Sequence, residues 1–221
     1  MSNDIQTLEA QWDEALANED VATVEKLVQV ILREHPNTPL ASELRYKRGL
    51  LTLTEGEGIG SERLAKALNE FRVGLEGAQA VGPDSEPWRS LNHTQIGICL
   101  ARRNNIDGAV KELQQVVNYR PRSSMGLGAL ALITEILEKD GREREAKRFK
   151  TQRLSFARAL VRENPESPEL NSYKFILAQE LLDSTYSKEG QQLLEELSGM
   201  DEETLGTELF HEIQAFKTSL D

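Results

Sequence analysis

One run of positions in the middle of the chain constrains the fold more than any other: Ile96-Gly97, Leu100, Ala109, Leu113, Val116 and Pro121. Two antiparallel helices approach closely only where small side chains let their backbones meet, and a bulky apolar residue one turn on must fill the groove. Gly97 and Ala109 are small residues on two consecutive helical stretches, with Leu100 and Leu113 as fillers and Pro121 as the stop. Asn104-Asn105 is the turn between them, and Asp107 stands near the start of the second stretch. The spacing predicts a tight helical hairpin.

Apolar residues recur at helical intervals along the rest of the chain, and no stretch alternates for long in the manner of a strand. Asn3 and Asp4 are cap candidates for a first helix striped by Leu8, Trp12, Ala15 and Leu16. Asp20 caps a second helix, with Val24, Leu27, Val28 and Ile31 inward and His35-Pro36 as its end. Thr38-Pro39 opens a third that runs to about Thr54; the Glu55 to Gly60 segment breaks it, and Ser61 caps a fourth carrying Leu64, Ala67, Leu68 and Phe71. Gly82-Pro83-Asp84-Ser85 is the next break, with Pro87 in the first turn of the following helix.

After Pro121 a helix spans about Ser123 to Lys139, with Leu130, Ile133, Ile136 and Leu137 inward, and ends at Asp140-Gly141. The next extends to about Glu163, with Ala146 as its small residue. Ser167-Pro168 opens another pair carrying Leu177-Ala178, Leu181, Gly190, Leu194 and Leu197. A last helix starting at Asp201 places Leu205, Leu209, Ile213 and Phe216 on one face. Gly126 and Gly128 fall in or beside an apolar helix, where glycine costs roughly 1 kcal/mol relative to alanine, so close approach of a neighbouring helix is expected there.

These offsets, repeated at near-constant period, resemble the tetratricopeptide repeat family. The central and fifth pairs follow its pattern well. The second pair keeps Ala67 and Phe71, but an inserted loop separates Gly49 from Ala67; in the fourth, Lys150 stands where the family has a large apolar residue, beside Phe149. The resemblance implies an all-α, right-handed superhelical solenoid of about five antiparallel hairpins plus a C-terminal capping helix. It implies a single domain over residues 1–221, with a hinge expected near 80–87.

The same resemblance implies noncatalytic protein binding: the first helix of each hairpin lines a concave face that holds a peptide or helix of a partner. By position that face presents Glu43, Tyr46, Leu50 and Leu53, then Leu91, Thr94, Ile98, Ala101 and Arg102, then Ser172, Phe175, Gln179 and Leu182. Tyr46, Arg102 and Phe175 are the residue types that anchor peptides. Some relatives grip a C-terminal carboxylate with Lys and Asn on successive first helices. Thr94 and Ile98 occupy the corresponding central positions, which disfavours a chaperone-tail clamp.

Aromatics make up 5% of the 221 residues and the net charge is −11, a balance that favours helix over sheet and opposes attraction to nucleic acid or anionic membrane. Cys99 is the sole cysteine, so no intrachain disulfide forms; beside Leu100 it reads as a buried apolar thiol rather than a nucleophile. The acidic start is no secretory signal, and no apolar run approaches the roughly 20 residues that span a bilayer, so a cytoplasmic protein is expected.

His35, His93 and His211 show no metal-ligand spacing, and the Gly56–Gly60 loop lacks the Lys-Ser/Thr of a phosphate loop. No enzyme activity, cofactor or metal is expected. Arg142, Arg144, Lys147, Arg148, Lys150, Arg153 and Arg158 concentrate positive charge on one helix. Arg144, Lys147 and Arg148 are the candidate strip for an acidic partner. The alternatives are a nucleic-acid-associated regulator using the basic helix 142–158, and a structural subunit of an oligomeric assembly, a homo-oligomer included.

Overall fold

The computed structural model describes residues 4–18, 20–54 and 60–220. The cap candidate Asn3, the side chain of Leu16 and residues 55–59 of the glycine-bearing connector lie outside what is described. Among the described residues the regular elements are all helical. They are α1 (Ile5–Ala17), α2 (Val21–Glu34), α3 (Pro39–Thr54), α4 (Ser61–Val81), α5 (Glu86–Arg102) and α6 (Ile106–Tyr119), with a 3-10 turn at Pro83–Ser85, then α7 (Ser124–Lys139), α8 (Glu143–Glu163), α9 (Leu170–Leu182), α10 (Ser187–Ser198), α11 (Glu202–Leu205) and α12 (Thr207–Thr218). They pack as successive hairpins, α1 on α2, α3 on α4, α7 on α8 and α9 on α10. The chain divides into two compact units, Met1–Gln115 and Val116–Asp221.

In the first unit, two polar side chains start helices where the sequence placed them: Asp20 Oδ1 accepts from the Thr23 amide at 3.1 Å, and Thr38 Oγ1 accepts from Ala41 at 3.2 Å. Asn105, read as part of a turn, also caps α6, its Oδ1 accepting from the Gly108 amide at 3.1 Å. Ser61 is a correction: it is the first helical residue of α4, and the cap is Gly60 in extended backbone, with no side-chain hydrogen bond. Leu8 and Ala15 of α1, Leu27, Ile31 and Leu32 of α2, and Ala41 and Leu44 of α3 form one buried cluster. The 80–87 segment lies inside this unit, and buried Ser85 ties it to the end of α4 by donating to the Ala78 and Gly82 carbonyls.

The central crossing is where the spacing put it. A Cβ built on Gly97 would sit 2.8 Å from Leu113 Cγ and 3.3 Å from the Ala109 carbonyl, and all three residues are buried. Gly97→Leu is therefore expected to overpack α5 against α6 and cost about 1–3 kcal/mol. Thermal unfolding followed by circular dichroism reads this directly; an unchanged midpoint would overturn the crossing. In the preceding hairpin a Cβ on Gly49 would lie 2.4 Å from the Phe71 ring, so α3 and α4 close tightly despite the long connector.

The second unit begins with Ser123, whose Oγ accepts from the Gly126 amide at 3.1 Å and caps α7. Gly126 is required by the preceding turn rather than by another helix, because a Cβ there would fall 2.0 Å from the Arg120 carbonyl oxygen. Gly128 is exposed and faces open space, so the expected close helix approach is absent at both glycines. On α8, Ala146 and Phe149 are buried while Lys150 is half-exposed and reaches Glu138 of α7 at 2.8 Å. Phe149 thus fills the groove that the family pattern assigns to the next position. Leu177, Ala178, Leu181, Gly190, Leu194 and Leu197 are all buried, Leu177 and Leu181 against Leu127 of α7 and Ala157 and Leu160 of α8, and Ala178 against Leu194 and Leu197 of α10.

The C-terminal cap is two helices instead of one. Asp201 accepts from the Thr204 amide at 2.8 Å and starts α11, but Gly206 adopts φ 79 and breaks the helix before α12. That left-handed conformation is open to glycine at little cost and re-aims the chain. Ile213 is then fully buried with Leu205, Leu209 and Phe216 around the α9–α10 core.

Candidate functional site

Two surfaces, one in each unit, carry the sequence-predicted binding residues. In the first unit, α3 and α5 both pack on α4 and on each other. Their inward residues are Ala41, Ser42, Leu44 and Gly49 on α3, and Asn92, His93, Ile96, Gly97, Cys99 and Leu100 on α5. Among the half-buried residues, Glu43, Tyr46, Leu50 and Leu53 form a stripe on α3, and Trp88, Leu91, Gln95 and Ile98 form one on α5. Steps of three and four residues keep each stripe on one helical face.

Tyr46 ties the two stripes together. Its ring centroid is 5.9 Å from that of Trp88 and 5.9 Å from that of fully buried Phe71, both tilted, within the range of favourable aromatic contacts. Trp88 was not singled out in the sequence, although it lies three residues before Leu91 and so continues the same stripe. Thr94 is half-buried, and its hydroxyl donates to the Ser90 carbonyl at 2.9 Å. Arg102 is exposed in the last turn of α5, where the helix dipole favours a cation. Leu51 is 60% exposed beside the α3 stripe.

Phe175 and Gln179 lie on α9 in the second unit. Phe175 is 6% exposed, and Phe216 of α12 meets it edge-on at 5.6 Å. The sequence read Phe175 as an open anchor; the structure places it in the core beneath the cap, because its stripe is the one the C-terminal helices cover. A recess of about 430 Å³ remains between Ser172, Phe175 and Ile176 and the α11–α12 junction. Gln179 is half-buried.

Three cations of the basic helix α8 are paired across the packing of the second unit. Lys150 pairs with Glu138 at 2.8 Å, Arg153 with Glu180 at 2.5 Å and Arg158 with Glu189 at 2.7 Å, while Arg142 holds Glu145 at 2.7 Å. Burial pushes the Glu180 carboxyl above the ordinary value, against the pull of Arg153. Arg144, Lys147 and Arg148 are exposed and in no ion pair among the described residues; the Arg148 guanidinium lies 5.2 Å from the Phe149 ring centroid. They are the three cations the sequence had proposed as a strip.

Elsewhere, Cys99 is wholly buried, and burial pushes its thiol up to about 11, so it is protonated at neutral pH. His93 Nδ1 lies 2.7 Å from Glu112, joining α5 to α6. No group of three or more His, Cys, Asp or Glu side chains among the described residues is placed to hold a metal. No helix among them is long and apolar enough to cross a membrane.

No protein-family model and no curated protein sequence matches this chain. Solved structures do. A crystal structure from Podosopora anserina, described as one of nearly identical TPR-like repeats, superposes with a TM-score of 0.53 at 13% identity, covering 91% of this chain and 94% of that one. A point-substituted form of the same protein gives a TM-score of 0.51 at 14% identity, covering 98% of this chain and 94% of that one. At such identity the likeness speaks to the fold, and it agrees with the hairpin packing and the small residues at the crossings: the chain has the tetratricopeptide-like helical-repeat fold.

Proposed function

We propose that the protein is a noncatalytic scaffold that holds a peptide or helix of another protein along the α3–α5 face. The observation that carries this reading is the pair of half-buried stripes joined by the Tyr46–Trp88 contact. A core would bury such residues, and a surface made only for solubility would be charged; a stripe of Leu50, Leu53, Leu91 and Ile98 flanked by two aromatics is the composition of an interface centre. The rings hold each other in place, so little ordering cost falls on binding. Arg102 supplies a cation at the end of the face, and the partner is a protein segment with apolar residues at alternating turns. In the other unit, half-buried Gln179 is a separate candidate contact.

Photo-crosslinking in the native host tests the reading. A photoreactive residue at Leu50 or Ile98 is expected to capture a defined protein, and one at Lys66 or Lys111 is not. Tyr46→Ala, Trp88→Ala and Arg102→Ala should each leave the helical signal intact while the first two weaken capture about tenfold or more, the loss typical of an interface hot spot. Equal capture from all four positions, undiminished by Tyr46→Ala, would overturn the assignment. Phe175→Ala is expected instead to lower stability, since its side chain lies in the core.

A further inference from the structure

The second unit carries a different surface that the α3–α5 reading does not use. Two recesses of about 470 and 400 Å³ adjoin along the outer side of α8, and Thr151, Leu154 and Tyr186 line both. Tyr186, in the α9–α10 connection, is 49% exposed, and the Arg158 guanidinium lies over its ring at 4.4 Å. Leu154 is half-buried beneath. The centre of the groove is therefore an apolar saddle and its two ends are cationic.

At one end stand Lys147, Lys150 and Arg153, with Glu180 and Asp183 as the acids of that recess. The other end is lined by Arg122, Arg158 and Arg162 with no carboxylate among its lining residues. Their acid partners are Glu163 and Glu189, 38% and 53% exposed. Such exposed pairs are each worth little and exchange readily for an incoming carboxylate. Lys147 is in no ion pair among the described residues; Arg144, three residues earlier, continues the positive row beyond it, and Arg148 adjoins it on the helix. This concentration stands out on a chain whose net charge is −11.

We infer that this groove is a docking site for a short acidic protein segment carrying one central apolar side chain. The apolar side chain packs on Leu154 and Tyr186; carboxylates on either side meet Lys147 and Lys150 at one end and Arg122, Arg158 and Arg162 at the other. Lys147 to Arg162 is about 22 Å of helix at ~1.5 Å per residue, which an extended segment of about seven residues spans at ~3.3 Å each. Guanidinium forks bind carboxylates bidentately, which fixes the segment in register. A nucleic acid fits less well, because its many phosphates would extend beyond the strip into the repulsive field of the acidic chain, felt within about 8 Å at physiological salt.

The probe is a fluorescein-labelled heptapeptide, Asp-Glu-Asp-Leu-Glu-Asp-Glu, titrated at physiological ionic strength and read by fluorescence anisotropy. Saturable binding is expected, weakened about tenfold by Lys147→Glu, by Tyr186→Ala, and by exchanging the peptide's leucine for glycine. Both substituted side chains are exposed, so the helical signal should not change. Arg33→Glu in the first unit, and Tyr46→Ala on the α3–α5 face, should leave the peptide's affinity as it is, which separates this site from the proposed scaffold face. Absence of saturable binding overturns the inference. So does equal affinity for the leucine and glycine peptides with Tyr186→Ala without effect, or tighter binding of a short duplex that Lys147→Glu abolishes.

Discussion

Replacing Phe71 by alanine is expected to destabilise the first unit by about 3–5 kcal/mol, the range for truncating a fully buried aromatic. Phe71 is 0% exposed, and its ring fills the space left by Gly49 across the α3–α4 crossing while supporting the Tyr46 ring. For a unit of this size such a loss lowers the unfolding midpoint by roughly 10 °C or more. A second substitution makes the test specific. Gly49→Ala alone should destabilise, because its Cβ would meet the ring at 2.4 Å. In the Phe71→Ala background the same methyl enters the vacated space and should recover part of the loss, giving a coupling of opposite sign to the single effect. Additive losses would show that the two residues do not share one cavity. Because Phe71 carries Tyr46, the double variant should also restore part of any binding lost from the α3–α5 face.

That hairpin shows which parts of the fold were legible. Gly97, Ala109 and Leu113 were readable because close helix crossing imposes a residue size at a fixed offset, and offsets survive in a bare sequence. The α3–α4 pairing was harder, since an inserted connector obscures the offset while leaving the packing of Gly49 on Phe71 unchanged. Gly206 was missed because its neighbours keep the helical period across it: Leu205 and Leu209 still fall four apart, and a left-handed turn leaves no mark on periodicity. Phe175 was misplaced for a related reason. It stands on α9, the first helix of its pair, but its exposure depends on what covers it, and the covering ring of Phe216 is 41 positions away.

The charge pattern was legible only as a total. Seven cations on one helical stretch read as a strip, yet Lys150, Arg153 and Arg158 meet acids on α7, α9 and α10 that no local window connects to them. Tyr186 was invisible as a site residue because it stands in a turn, outside any helical stripe, and reaches Arg158 only through the α8–α9–α10 packing. Trp88 was within reach: three residues before Leu91 and four before buried Asn92, its period already marked it as half-inward.

Arg153→Ala is expected to cost the second unit roughly 1–3 kcal/mol at neutral pH, the range for leaving one member of a partly buried polar pair without its partner. Arg153 and Glu180 are 13% and 11% exposed and 2.5 Å apart. Burial raises the Glu180 carboxyl, with Asp183 adding in the same direction; Arg153 is the main opposing influence and Lys150 a weaker one. Removing the guanidinium therefore raises the carboxyl further in the folded state, while its unfolded value stays ordinary. A carboxyl held above its unfolded value binds more protons folded than unfolded, so its penalty grows as pH rises through the window between the two values and disappears below it. The deficit of Arg153→Ala relative to the parent should accordingly be largest near neutrality and shrink as the pH falls toward the ordinary carboxylate range, leaving the lost packing of the arginine stem. Arg153→Met combined with Glu180→Leu removes both charges and should be close to neutral at either pH. Denaturant unfolding of the three proteins across that range decides the matter: a deficit that does not change with pH would assign the whole cost to packing and none to the stranded carboxylate.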